Sequence, residues 1–204
     1  MLTFIKSFFT SVIDLENLDY QPAEKGFGPL IIKTFYIEVP PSEVSISEAF
    51  GKLKKNINKF RPVFVGKIRS ADEIKLENGR RMILKLVGPY NGPVEVQNVT
   101  DKSFKLVTLD NHPEAGFIEF SIIEGQRNYF KIHSEVRANE IFFYISYHYF
   151  KIASLVQDRI SIGFIKKFYQ YVTGSKAHTS QVCISKKIIR DKKRIQPRLK
   201  YLKQ

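Results

Sequence analysis

The chain has a single cysteine, Cys183, and no tryptophan in 204 residues. One cysteine excludes an intramolecular disulfide, and with it any Cys₄ or Cys₂His₂ zinc site within one chain. It fits a reducing compartment, so a cytoplasmic location is the expectation. No apolar run approaches the roughly 20 residues that a membrane-spanning helix needs. The first segment, MLTFIKSFFTSVIDLENL, has Lys6 inside its apolar part and Asp14 and Glu16 soon after. Without a small-residue cleavage site it does not read as a secretory signal. Also missing are a G-x-S-x-G elbow, a G-x-G-x-x-G turn and a P-loop, so no nucleotide or other cofactor is implied. Four histidines, well separated, give a metal site little basis; His133 and Glu135 share a strand face, and His148 falls in a later helical stretch.

What is present is aromatic. Seventeen Phe and ten Tyr supply large flat surfaces for a core or a cavity wall. Net charge is +13, a value that suggests nucleic acid or an anionic membrane as partner. Its distribution changes that reading. From Lys176 onward there are ten Lys or Arg against one acid, Asp191, whereas the preceding 175 residues hold 23 basic against 19 acidic. The basicity belongs mainly to the tail.

Residues 1–20 hold an amphipathic helix, with Phe4, Ile5, Phe8, Phe9, Val12 and Ile13 at helical spacing. Its one Lys and later acids suit docking on the domain better than insertion into an anionic membrane. Leu30–Val39 reads as a first strand, ended by Pro40-Pro41. Ser45 or Ser47 caps a helix over 48–60, closed by Pro62. Then come short strands: Val63–Ile68, Glu73–Glu77, Arg81–Val87, Val94–Val99, Phe104–Leu109, Phe117–Ile123 and Tyr129–Val136. Asn78-Gly79 and Tyr90-Asn91-Gly92-Pro93 supply two of their turns. Phe130, Ile132, Ser134 and Val136 alternate with Lys131, His133, Glu135 and Arg137, giving one inner and one solvated face. From Ile141 to Tyr171 the apolar period lengthens to three or four, as one bent helix or two consecutive ones, with Phe142–Phe150 also readable as strand. After Gly174 periodicity is lost, and residues 175–204 read as a basic tail, partly disordered or loosely docked.

The order is strand, helix, antiparallel strands, long helix: an α+β domain over 30–174. That order resembles the START-like (SRPBCC) helix-grip superfamily, in which a curved antiparallel sheet wraps around a long C-terminal helix. A local signature adds to it. Thr108-Leu109-Asp110-Asn111-His112-Pro113-Glu114-Ala115-Gly116, followed by Phe120, resembles the T-L-x-x-H-P-E-x-G-E-x-x-F hallmark of a bacterial and plant family in that superfamily, a domain of unknown function. Gln157 and Arg159 resemble that family's C-terminal pattern. Phe117 departs from it, standing where the family has an acid.

The resemblance implies a space between sheet and helix suited to a lipophilic small molecule. Its expected wall is Phe35, Leu84, Leu86, Phe120, Ile132, Tyr144, Tyr147 and Phe164, with Arg137 and Gln157 orienting a polar group. The alternative is a cyclase- or hydrolase-like enzyme using His112 and Glu114 as an acid/base pair, since histidine titrates near neutrality. Against it stands a purely structural role: Pro113 fixes the loop, Gly116 allows a turn, and the two side chains satisfy loop amides. A third reading has the basic tail (Lys186-Lys187, Arg190, Lys192-Lys193-Arg194) contacting nucleic acid or an anionic surface. Only Tyr201 is interleaved there, so base stacking has little support.

Overall fold

The computed structural model describes residues 14–62, 75–85, 91–139 and 152–190. Its strands are β1 (Phe27–Val39), β2 (Arg81–Lys85), β3 (Asn91–Gln97), β4 (Ser103–Thr108), β5 (Glu114–Ile123), β6 (Asn128–Ala138) and β7 (Cys183–Ile189). The helices are α1 (Ile46–Lys55), α2 (Ile57–Phe60) and α3 (Ile152–Thr173). The strands form one antiparallel sheet in the order β2-β3-β4-β5-β6-β1-β7. The hairpin meander β2–β6 is thus followed spatially by the first and last of the described strands.

Strand alternation builds the core. On β1, Phe35, Ile37 and Val39 are buried while Tyr36 and Glu38 are exposed. The register sets Phe35 beside Ile132, Ile132 beside Phe120, and Phe120 beside Phe104, a four-strand apolar rung on one face. Over this face lie Phe164, Ile165, Phe168 and Val172 of α3, with Ala49, Phe50 and Leu53 of α1 and Ile57 and Phe60 of α2. Rings interlock: Phe130 stacks on Phe168 at 3.9 Å and Phe60 meets Phe168 at 6.0 Å. Each such burial contributes about 1.5–3 kcal/mol.

Ser45 starts α1, its hydroxyl accepting from the Glu48 amide at 3.1 Å. The single helix expected over 48–60 is instead two, because Asn56 (φ −152°, ψ 78°) leaves the helical region. At Gly163 of α3 any side chain would collide with the Pro62 ring, so glycine lets the chain leaving α2 cross the helix closely. Turn Asn78-Gly79 forms, but residues 75–77 make no strand; the Leu76 amide instead donates to Lys54 O at 3.1 Å. Gly92 and Pro93, expected in a turn, sit inside β3; Pro93 has no N–H to offer, and its carbonyl accepts from Leu109 at 3.0 Å.

The largest difference is at the C-terminal end. Residues 183–189, expected within a partly disordered or loosely docked tail, pair with β1 from Leu30↔Ile189 to Tyr36↔Cys183. The expected strand Val63–Ile68, Phe142–Phe150, most of the N-terminal amphipathic helix and tail residues 191–204 lie outside the described residues.

Candidate functional site

The helix-facing side of the sheet divides into two halves. One is filled with rings: Phe104 stacks on Phe120 at 4.8 Å, and Phe120 meets Phe164 edge-on at 5.6 Å. Four sequence-predicted wall residues, Phe35, Phe120, Ile132 and Phe164, are buried together here, and Leu84 packs half-buried against the same core. Leu86, Tyr144 and Tyr147 lie outside the described residues.

The other half carries a polar cluster among its apolar residues, and its centre is a residue that sequence reasoning missed. Lys33 occupies the inward register position next to Phe35, opposite Ser134 of β6, which is also buried. Its Nζ lies 2.5 Å from Oδ1 of Asp158 on α3, with side chains 1% and 30% exposed. Burial lowers the lysine's pKa; the Asp158 hydrogen bond and charge oppose that, the neighbouring Lys186 charge adds to it, and the Glu114 charge opposes it. Gln157, the residue before Asp158, is half-buried. Glu114 shares register parity with Gly116, Ile118 and Phe120, which places it on the concave side. The signal for Lys33 lay in its phase: a cation in step with Ile31, Phe35 and Ile37 on an alternating strand points inward.

The Thr108–Gly116 segment is a clasp. Gln21 inserts where β4 and β5 part: its amide donates to Thr108 O at 2.9 Å, and its carbonyl accepts from Gly116 N at 2.9 Å. Thr108 Oγ1 accepts from Gly116 N at 2.9 Å and donates to Gln21 O at 2.8 Å. Gln21 Nε2 donates to the carbonyls of His112 (3.0 Å) and Glu114 (2.9 Å). His112 is buried, and its Nδ1 accepts from the Glu114 amide at 2.9 Å. Burial pushes its pKa down to about 4, so the ring is neutral at physiological pH. At Gly116 (φ 143°) a methyl would run into the Glu135 carbonyl. Arg137 falls on the opposite face from Ile132; it is buried there, and its guanidinium donates to Gly28 O. The structure therefore does not bring Arg137 to the Phe35–Ile132–Phe120 wall.

On the convex face Thr34 Oγ1 lies 2.9 Å from His133 Nδ1, whose Nε2 lies 3.0 Å from Glu135 Oε1. Hydroxyl, imidazole and carboxylate thus stand in the order of a hydrolytic triad. However, β1 is paired on both edges, so its amides are committed to β6 and β7 and offer no oxyanion donors. Towards the β2 edge, Arg81 binds Glu95 at 2.9 Å and collects the carbonyls of Leu15, Glu16 and Leu18, while the Tyr20 hydroxyl donates to Glu95. This network ties the N-terminal segment to the sheet. Among the described residues no cluster of three or more His, Cys, Asp or Glu is suited to a metal, and no helix is long and apolar enough to cross a membrane.

No family model and no curated protein matches the sequence. Solved structures match in shape. Norcoclaurine synthase from Thalictrum flavum, in complex with dopamine and hydroxybenzaldehyde, aligns with a TM-score of 0.52 at 11% identity over 83% of this chain and 95% of that one. A truncated form of that enzyme gives 0.51 at 11% over 74% and 98%. The KanY protein (ms6282) gives 0.50 at 8% over 68% and 94%. At these identities the likeness establishes the fold, a START-like helix-grip architecture with its curved sheet against a C-terminal helix.

Proposed function

We propose that the protein is a binding module for a small lipophilic molecule, held between the concave face of the sheet and α3. The molecule's polar group meets the Lys33–Asp158 pair. The observation that carries this reading is the pair itself, in step on the sheet with the apolar residues Phe35, Ile132 and Phe120. Exchanging a buried ion pair for apolar residues is often neutral or stabilising by about 1–4 kcal/mol, so stability alone is a poor reason to keep one. An apolar wall with a few placed polar groups is the usual chemistry of a small-molecule site. In this reading Phe35, Leu84, Phe120, Ile132 and Phe164 supply the wall, and Gln157, next to Asp158 in sequence and half-buried, adds a polar contact. That a norcoclaurine synthase of this fold holds dopamine and hydroxybenzaldehyde supports the reading by analogy of scaffold only.

Membership of the family whose motif Thr108–Gly116 resembles, and a cytoplasmic location, belong to the same proposal. The acid/base alternative has Glu114 on the concave side, but the neutral, backbone-bonded His112 ring gives it a weak proton donor. Contact of the basic tail with an anionic surface would use Lys186, Lys187 and Arg190, all exposed.

Native mass spectrometry of freshly purified protein, followed by organic extraction of any excess mass, tests the reading. A defined lipophile that is lost in Lys33→Met protein supports it. A protein that stays at its apo mass when offered a panel of lipophiles refutes it.

A further inference from the structure

We infer that the ligand is an amphiphile with a carboxylate head, of the alkyl carboxylate class, admitted along the concave side of β7 so that its head lies between Lys186 and Lys33. This rests on the binding reading above and names its ligand class.

The register of β7 puts Ile184, Lys186 and Ile188 opposite Phe35, Lys33 and Ile31, on the concave side. Helix α3 packs against β1 and β6, and every residue of β7 is exposed. Ile184 and Ile188 are 51% and 44% exposed, flanking Lys186 with uncovered apolar surface. One strand inward the character reverses: Lys33 is 1% exposed. Along β7 the strip reads isoleucine, lysine, isoleucine, all open to water, and one strand inward, opposite the central lysine, stands the buried ammonium.

Like charges directly opposite on paired strands repel, and Lys186 and Lys33 are such a pair. An edge lysine guards against strand addition, but that role needs no second lysine behind it. The groups that favour the charged form of Lys33 are both carboxylates, Asp158 from α3 and Glu114 from β5. Asp158 is 30% exposed and can return to water. A ligand carboxylate between the two lysines makes charge-assisted hydrogen bonds to both and removes their repulsion. Its hydrocarbon chain covers Ile184 and runs on toward Phe35, the register partner of Ile184.

The test is calorimetric titration with dodecanoate, dodecan-1-ol and dodecylammonium, each below its aggregation threshold. Dodecanoate should bind most tightly. Lys186→Gln, at an exposed position, should weaken dodecanoate about threefold or more while leaving dodecan-1-ol unchanged. Lys33→Met should weaken dodecanoate about tenfold or more. If dodecan-1-ol or dodecylammonium binds as well as dodecanoate, the carboxylate class is wrong and the lipophile-binding reading stands. If none of the three binds, both are wrong. A dimer held together through β7, seen by sedimentation and dissolved by dodecanoate only at denaturing concentrations, would assign the strip to a second copy and overturn the inference.

Discussion

Removing Asp158 and removing Lys33 should have very unequal consequences. Asp158→Ala removes the carboxylate that stands 2.5 Å from an ammonium 1% exposed, with Lys186 still opposite. Breaking a buried pair in this way costs about 3–5 kcal/mol. For a chain of this size each kcal/mol moves Tm by about 2–4 °C, so the melting point should fall by about 6–20 °C. Lys33→Met keeps the aliphatic stem's volume and leaves Asp158, which at 30% exposure remains hydrated. Its cost should be about 1 kcal/mol or less. The double change Lys33→Met with Asp158→Leu should fall within about 1 kcal/mol of the original protein or above it. Linkage adds a signature. Lys33 already titrates below an ordinary lysine because of burial, and losing Asp158 lowers it further. Between that depressed value and the ordinary one, the unfolded chain holds a proton that the folded chain has shed. Stability of Asp158→Ala protein should therefore rise with pH across that window, by up to about 1.4 kcal/mol per pH unit. Urea unfolding followed by far-UV circular dichroism measures all of this, tryptophan being absent. Equal losses for the two single changes, or a larger loss for Lys33→Met, would refute the reasoning.

Three further outcomes are expected. His112 has its pKa pushed from 6.5 down to about 4, so its contribution is intact above pH 6.5 and is lost as pH falls towards 4, about 3 kcal/mol in all; urea midpoints from pH 7 to 4 should show this slope, and His112→Asn should flatten it. Gly116→Ala should cost more than about 3 kcal/mol, because the backbone is at φ 143° and the new methyl meets the Glu135 carbonyl; soluble expression and thermal melts decide it. Gln21→Ala should cost about 2–3 kcal/mol by leaving the His112 and Glu114 carbonyls without their shared donor, and hydrogen exchange should quicken at Gly116 and Leu109 before it does in β6.

Much of the fold was legible because its burial is periodic. The alternation through Phe130–Val136 and through Ile118–Ile122 identified the inner faces of β6 and β5, and Ser45 was among the caps expected for α1. β7 was not legible for a physical reason: every residue from Cys183 to Ile189 is exposed, so burial left no period-two pattern in the sequence. Its pairing with β1 is a backbone interaction that side chains barely record. Lys33 was readable in phase, but a lysine on a strand defaults to the solvated face, and its partner Asp158 lies 125 residues later in the chain. The Thr108–Gly116 motif stood out locally, whereas its partner Gln21 lies 87 residues before Thr108 in a segment with no motif of its own.

The central claim is that a lipophile occupies the space between the concave face and α3. The most direct measurement is a methyl spectrum of isoleucine-labelled protein titrated with a dodecyl-chain probe. The account predicts shifts at Ile31, Ile132 and Ile165, which are buried, and none at Ile123, which is exposed at the far end of β5. Shifts confined to Ile123 and other convex or loop positions, or no shifts at saturating probe, would contradict it.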